Sequence, residues 1–348
     1  MLEDQVGNAT DGQTAETTAS NDPAVPKAGL WSITIDRNKL AALVVWIAFA
    51  CYIVPLAIAK PQFISGYNII SILMLVSVYA LIGFGESVVI LTAGIDLSVG
   101  SIIGLSGVVA AVTLGDHMGF TWAVIAAVAG ILAGTALGFF NGVLVALLNI
   151  PSFVATLGSL SIALGLGYVL SNGLQISITN EPFLNLTGNE YFGVPIPVYV
   201  MFVVFFLLWL ILAKSKFGRY VYAVGGNIRA AFVAGIPIRT VLLTTYTLSG
   251  LLAALAGVLL ASQVTAGIAS TGSGYELMAI AAPVIGGISL AGGRGSLVGA
   301  LFGVILLGTI DNGMTILNVS PFYQHIIRGS IIVLAVLLDT VANKRKLV

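Results

Sequence analysis

Four polar side chains stand inside runs that are otherwise apolar. Glu86 lies in G-F-G-E-S-V, Asp96 in the glycine-flanked stretch Gly94–Gly100, and Asp311 and Asn312 late in a third run. A charged side chain at bilayer depth costs at least about 2.5 kcal/mol on insertion scales, so each needs a partner or a task. The chemistry open to such groups is proton or ion binding, or the polar lining of a solute pathway. Asp96 has a local alternative, because its oxygens can accept from the N–H groups of Ser98 and Val99 and so start a helix. Asp311 can pair with Arg328 on the following apolar segment. Glu86 has no obvious partner nearby, and a structural role and a pathway role both stand. Glu276 opens another apolar segment near its expected outer face, where it would be solvated or capping.

Other chemistry lacks its residues. There is no G-x-x-x-x-G-K-[ST] phosphate loop and no Gly-Lys pair anywhere, so ATP cannot be held in the usual way. No Ser/His/Asp set, paired-carboxylate cleft or metal-ligand cluster is present, and the two histidines, His117 and His325, fall at expected outer turns. No catalytic activity, cofactor or metal is expected. Cys51, the single cysteine, is expected to pack as a small buried hydrophobe.

One polar excursion interrupts the apolar runs. Lys214 to Arg239 carries Lys214, Lys216, Arg219, Arg229 and Arg239, five of the fourteen basic residues. Within it Asn227 can cap a helix over Ile228–Ala234, Gly235 suits a left-handed terminating position, and Pro237 prevents continuation. Gly225 and Gly226 would permit a sharp reversal before it. Two turns of helix are not stable alone. This one must lie on the membrane surface or its own bundle, or dock into a soluble partner. Arg294, in G-G-R-G-S, has two readings, a topology anchor or a contact with such a partner or an inner gate.

The elements that must position these groups follow from composition. Hydrophobic residues make up 58% of the chain, charged residues 8%, and mean hydropathy is +1.06, which excludes a soluble domain. The fold class is all-α, a polytopic helical bundle in a lipid bilayer. Net charge is zero, so no nucleic-acid partner is expected. Ten segments are long and apolar enough to be read as spans: Leu40–Ile58, Ile69–Thr92, Ser98–Leu114, Trp122–Leu148, Phe153–Leu170, Pro197–Ala213, Val241–Ser262, Tyr275–Leu290, Leu297–Leu317 and Phe322–Leu338. The pairs around Gly94–Gly100 and Gly286–Gly295 could each be two spans or one broken helix with a re-entrant turn. Residues 1–38, acidic and poor in large apolar side chains, read as a disordered tail. The transmembrane domain is placed at 39–342, with its loop at 214–239, and a short tail at 343–348. Lys27, Arg37, Lys39, Lys344, Arg345 and Lys346 fall on one side with the 214–239 loop and Arg294 if both termini are cytoplasmic. A weak internal echo relates Gly94-Ile95-Asp96-Leu97 and Gly100–Gly104 to Gly287-Ile288-Ser289-Leu290 and Gly295–Gly299, the kind of repeat transporters are built from.

Three stretches carry a family likeness. G-R-Y-V-Y-A-V-G-G-N-I-R-A-A-F-V-A-G-I-P-I, Gly218 to Ile238, resembles the coupling-helix region of sugar-type ABC transporter permeases, the group typified by ribose and xylose importers. L-T-A-G-I-D-L-S-V-G-S, Leu91 to Ser101, and P-V-I-G-G-I-S-L-A-G-G-R-G-S-L-V-G-A, Pro283 to Ala300, resemble two further stretches of that family in the same order. The resemblance implies a ten-span architecture like that of cobalamin importers, in the bacterial inner membrane. It implies a pathway formed with a second permease copy, a separate ABC ATPase subunit and a periplasmic sugar-binding protein. Asn227–Gly235 would rest on the ATPase, so that Asn227, Arg229, Ala230, Ala231 and Gly235 are coupling residues. Arg219, Gly225, Gly226 and Ile236 would flank them in the same role. Glu86, Asp96, Asp311, Asn312 and Arg294 are the candidates for pathway or gate. Family members often carry an acidic residue where this chain has Arg229 and more polar ones at Phe232 and Val233, so the docking face here is unusually apolar. A sugar or polyol is the implied solute, with a nucleoside or furanosyl signalling molecule as the variant. The competing functions are an ion-coupled secondary transporter using the buried carboxyls, and a membrane scaffold without transport.

Overall fold

A computed structural model describes residues 49–344. In lipid every backbone N–H and C=O must be satisfied within the chain, so long apolar runs become helices. Six are long and apolar enough to cross a membrane: α2 (Gly66–Leu91), α4 (Phe120–Ala146), α5 (Ser152–Ser171), α7 (Ile196–Lys214), α10 (Ile238–Gln263) and α12 (Leu297–Ile316). Four further apolar helices are shorter: α1 (Phe49–Ala59), α3 (Val99–Leu114), α11 (Tyr275–Ile285) and the apolar part of α13 (Pro321–Lys344). The fold is therefore the expected all-α polytopic membrane bundle, with six long and four shorter apolar helices among the described residues. The start of the first expected span, the tail at 1–38 and residues 345–348 lie outside the described residues.

Three helices do not cross: α6 (Glu181–Gly188), α8 (Lys216–Gly226) and α9 (Ile228–Val233). Two antiparallel pairs, two residues per strand, also escape the helical reading: β1 (Ile176–Ser177) with β4 (Ala266–Gly267), and β2 (Glu190–Tyr191) with β3 (Val194–Pro195). Such short pairs leave no alternating pattern to read.

Central and peripheral helices separate by burial. In their most apolar windows 61% of α2 and of α10 is buried, against 28% of α4, α5 and α7. The last three present Phe139, Phe153, Phe206 and similar side chains outward, the surface lipid requires. Close approach is set by small residues. On α4, Gly130, Gly134, Gly138 and Gly142 recur every fourth residue, and a Cβ on Gly138 would lie 2.5 Å from the Tyr246 carbonyl oxygen of α10.

The chain ahead of α11 departs from the sequence reading, which left it between two spans. Residues 264–274 are not helical, and they run back along α3: Gly267 lies against Gly107 and Ala111, Ala269 against Gly104, and Gly272 against Gly100. A Cβ on Gly104 would overlap the Ala269 carbonyl. α11 then completes the crossing with eleven residues, roughly 16 Å of helix. Its first residue, Tyr275, meets Tyr79 edge to face, ring centroids 5.2 Å apart, and Tyr79 stands midway along α2. Glu276 accordingly sits near mid-depth, not at the outer face. The cause is that the chain enters the bundle non-helical before α11 begins. Cys51 also departs from expectation, being exposed on α1.

Candidate functional site

The basic excursion folds as two helices set against the end of the bundle. α8 starts where the Ser215 hydroxyl accepts the Gly218 N–H at 3.1 Å, and it buries Gly218, Val221 and Val224 while Lys216 and Arg219 stay exposed. Gly225 and Gly226 complete the last turn of α8. The reversal comes at Asn227, in extended backbone, so the glycines serve close approach and not the turn. The Asn227 Oδ1 accepts the Ala230 N–H at 3.0 Å and opens α9. At the other end Ala234 is the cap, one residue earlier than expected. Gly235 takes φ +74, the Gly235 N–H donates to the Phe232 carbonyl, and the Ile236 N–H donates to the Ala231 carbonyl, both at 3.0 Å. These two bonds are those of a Schellman stop.

That stop orients α9. Ala231 is buried beneath it, Ile236 packs on the main core, and Arg229 and Ala230 are exposed. Ile228, Phe232 and Val233 point outward at 51%, 74% and 86% exposure. So short a helix therefore carries an exposed apolar face, with Arg229 exposed on it too.

The three family-like stretches converge here. The Gly293 N–H donates to the Leu91 carbonyl at 2.9 Å, and a Cβ on Gly225 would overlap that same carbonyl. A Cβ on Gly292, at φ +80, would lie 2.7 Å from Ala93 Cβ. The Tyr222 hydroxyl donates to the Gly295 carbonyl at 3.1 Å, and half-burial holds that hydroxyl above the usual tyrosine range, so it stays a donor. At Gly225, Leu91 and Gly293 the end of α8 thus meets the end of α2 and the link after α11 backbone to backbone. Arg294 is exposed on the same turn. The internal echo also has a geometric counterpart: Asp96 Oδ1 accepts the Ser98 N–H at 3.0 Å, and Ser289 Oγ accepts the Ala291 N–H at 3.3 Å.

The intramembrane polar groups form two separate knots. In the first, Asp96 and Glu86 are both fully buried, and Glu86 Oε1 accepts the Asp96 N–H at 3.0 Å. Asp96 also accepts from the hydroxyls of Ser98 (2.6 Å) and Ser249 (3.0 Å), and Asn141 donates to the Ser98 oxygen at 2.8 Å. The link between α2 and α3 is thus tied to α4 and α10, and the Ile95 N–H reaches Ser152 of α5 at 3.3 Å. Among the described residues Glu86 Oε2 has no hydrogen-bond partner, nor does the Tyr246 hydroxyl. In the second knot Arg328 Nε donates to Asp311 Oδ1 at 2.9 Å, and the Tyr79 hydroxyl donates to Asp311 Oδ2 at 3.1 Å. Asn312 exchanges two hydrogen bonds with Asn68, each 2.9 Å. Sequence reasoning missed Tyr79, Asn68, Asn141 and Ser249, whose types carry no signal apart from their placement. No cluster of metal-ligating side chains occurs among the described residues.

The fold is, as a class, that of a polytopic helical membrane protein. The profile of the family described as Branched-chain amino acid transport system / permease component matches residues 68–336, and this chain belongs to that family. The ribose import permease protein of Escherichia coli (strain K12) is 39% identical over 316 residues, 90% of this chain and 95% of that one. The ribose import permease protein of Bacillus subtilis (strain 168) is 42% identical over 290 residues, 82% and 89% of the two chains. The L-arabinose ABC transporter permease protein of Azospirillum brasilense is 38% identical over 318 residues, 91% of each. No solved structure matches the chain.

Proposed function

We propose that this chain is the membrane-spanning subunit of an ATP-driven importer for a sugar or related polyol. It works with a separate ABC ATPase and a periplasmic binding protein, and it lies in the bacterial inner membrane. Relatives that carry ribose and L-arabinose, each aligned over at least four-fifths of its length, support the solute class. The observation that carries the mechanism is α9, whose Ile228, Phe232 and Val233 face outward while Gly225, in the last turn of α8 just before it, abuts the Leu91 carbonyl. A push on this face is passed by backbone contact into the α2–α3 and α11–α12 links. The absence of a phosphate loop assigns hydrolysis to the partner subunit. The lipid-like exposure of α4, α5 and α7 leaves room for a second permease copy to complete the pathway. Both termini are placed in the cytoplasm, on the side of the basic 214–239 loop and Arg294. The ion-coupled alternative is not favoured by these relatives.

Reconstitution with ATPase and binding protein tests this. ATP-dependent uptake of ribose or L-arabinose that persists in a protonophore is the expected result. Uptake by this chain alone, abolished when the proton gradient collapses, would overturn it.

A further inference from the structure

Polar groups at membrane depth mark places where lipid cannot be. The non-helical segment 264–274, a two-residue strand followed by turns, runs along α3 from Ala111 to Gly100, so most of it lies within the thickness of the bundle. Glycines hold it there, since a side chain on Gly104 or Gly272 would overlap backbone across the contact, and one on Gly100 would overlap Glu276 Oε2 as well as the Gly272 carbonyl. Its hydroxyls Ser270 and Ser273 are exposed, and the Thr271 hydroxyl is buried without a partner. Glu276, one residue into α11 and partly exposed, receives only the Gly274 N–H, 3.1 Å from each carboxylate oxygen, among the described residues. Arg328, the cation nearest in depth, is committed to Asp311.

Hydrocarbon satisfies none of these groups. Non-helical backbone at this depth persists only where protein encloses it or water reaches it. An exposed carboxylate there carries the same cost. Among the described residues nothing encloses Ser270 or Ser273, and Glu276 stays partly exposed.

We propose that Ile268–Glu276 lines the aqueous solute pathway and contacts a neutral, hydroxyl-rich solute, a site that deepens the transport reading above and rests on it. The two serine hydroxyls donate and accept, and the open lone pairs of Glu276 accept solute O–H groups through charge-assisted bonds. The same carboxylate repels anionic solutes, so phosphorylated or acidic sugars are rejected. The groove of Gly100 and Gly104 fixes the height of these groups in the pathway; those glycines position and do not touch solute.

The test uses the full complex in vesicles, with Cys51→Ser as background. Ser270→Cys and Ser273→Cys are exposed to a charged, membrane-impermeant methanethiosulfonate reagent, in the resting and vanadate-trapped states, and labelling is read by mass. Both positions should label in at least one state, while Phe206→Cys on the lipid face of α7 should not. Labelling should reduce ATP-dependent ribose uptake, and Glu276→Gln should lower uptake about tenfold with assembly and hydrolysis retained, the loss of one charge-assisted bond. Failure of either serine position to label, whether lipid or a second copy covers it, would overturn the proposal. So would labelling that leaves uptake unchanged. If the unaltered complex takes up neither ribose nor L-arabinose on ATP, the function assigned above is at fault, and labelling still decides whether water reaches the segment.

Discussion

The backbone of Gly293 donates to the carbonyl of Leu91 at 2.9 Å, and Gly225 closes over the same carbonyl from the docking side. Three stretches more than sixty residues apart in sequence are thereby locked without a side chain between them. Gly225→Ala would force the Leu91 carbonyl or α8 to move, because the added Cβ cannot fit. Overpacking of this kind costs about 1–3 kcal/mol. A fall in thermal midpoint of the detergent-solubilised protein is expected. Gly158→Ala on α5, where a Cβ would meet nothing within 4 Å, should not lower it.

Substitutions on α9 should divide by the face they occupy. Phe232→Asp and Val233→Asp alter exposed positions, so folding should persist while affinity for the ATPase drops at least about tenfold, as expected when an apolar anchor is lost from an interface. Ala231→Asp would bury a carboxylate under the Schellman stop and should lower stability itself. Asn227→Ala removes the cap and should cost about 1 kcal/mol. Pull-down with the purified ATPase, beside thermal melts, separates the two effects. Equal loss of both in every variant would count against a docking role.

Asp96→Ala should be more damaging than either. Three donors, the Ser98 N–H, the Ser98 hydroxyl and the Ser249 hydroxyl, would lose their acceptor in a fully buried site. Each buried polar group left unpaired costs about 1–3 kcal/mol. Ser249→Ala removes one bond and should cost roughly a third as much. Parallel melts of the two variants check the ratio.

How much of this was legible beforehand depends on the range of the interaction. The bundle, the cap at Asn227 and the stop at Gly235 are local, so residue types a few positions apart sufficed. Pairing of Asp311 with Arg328 needed only adjacent helices. The Asp96 knot needed Asn141 and Ser249, which reach it from α4 and α10, and no pattern along the chain brings those side chains together. The depth of Glu276 was misjudged because residues 264–274, read as a loop between spans, run along α3 inside the bundle. Gly225 was read as a hinge, since a glycine required for close approach looks in sequence like one required for a turn.

The Asp311–Arg328 pair offers the cleanest separation of structure from transport. Asp311 is 3% exposed and Arg328 only partly so, and the carboxylate is held by the guanidinium on one oxygen and Tyr79 on the other. Arg328→Met would strand a buried carboxylate and should cost about 3–5 kcal/mol. Asp311→Leu alone leaves a cation that can reach toward the polar outer end of α13 and should cost less. The double variant, Asp311→Leu with Arg328→Met, removes both charges and should regain most of the loss, because a well-packed apolar pair is often as stable as a buried ion pair. Thermal melts of the four proteins give the coupling directly. If the double variant is stable and still carries sugar, the pair is a tie between α12 and α13; if it is stable and carries none, the charges belong to the pathway.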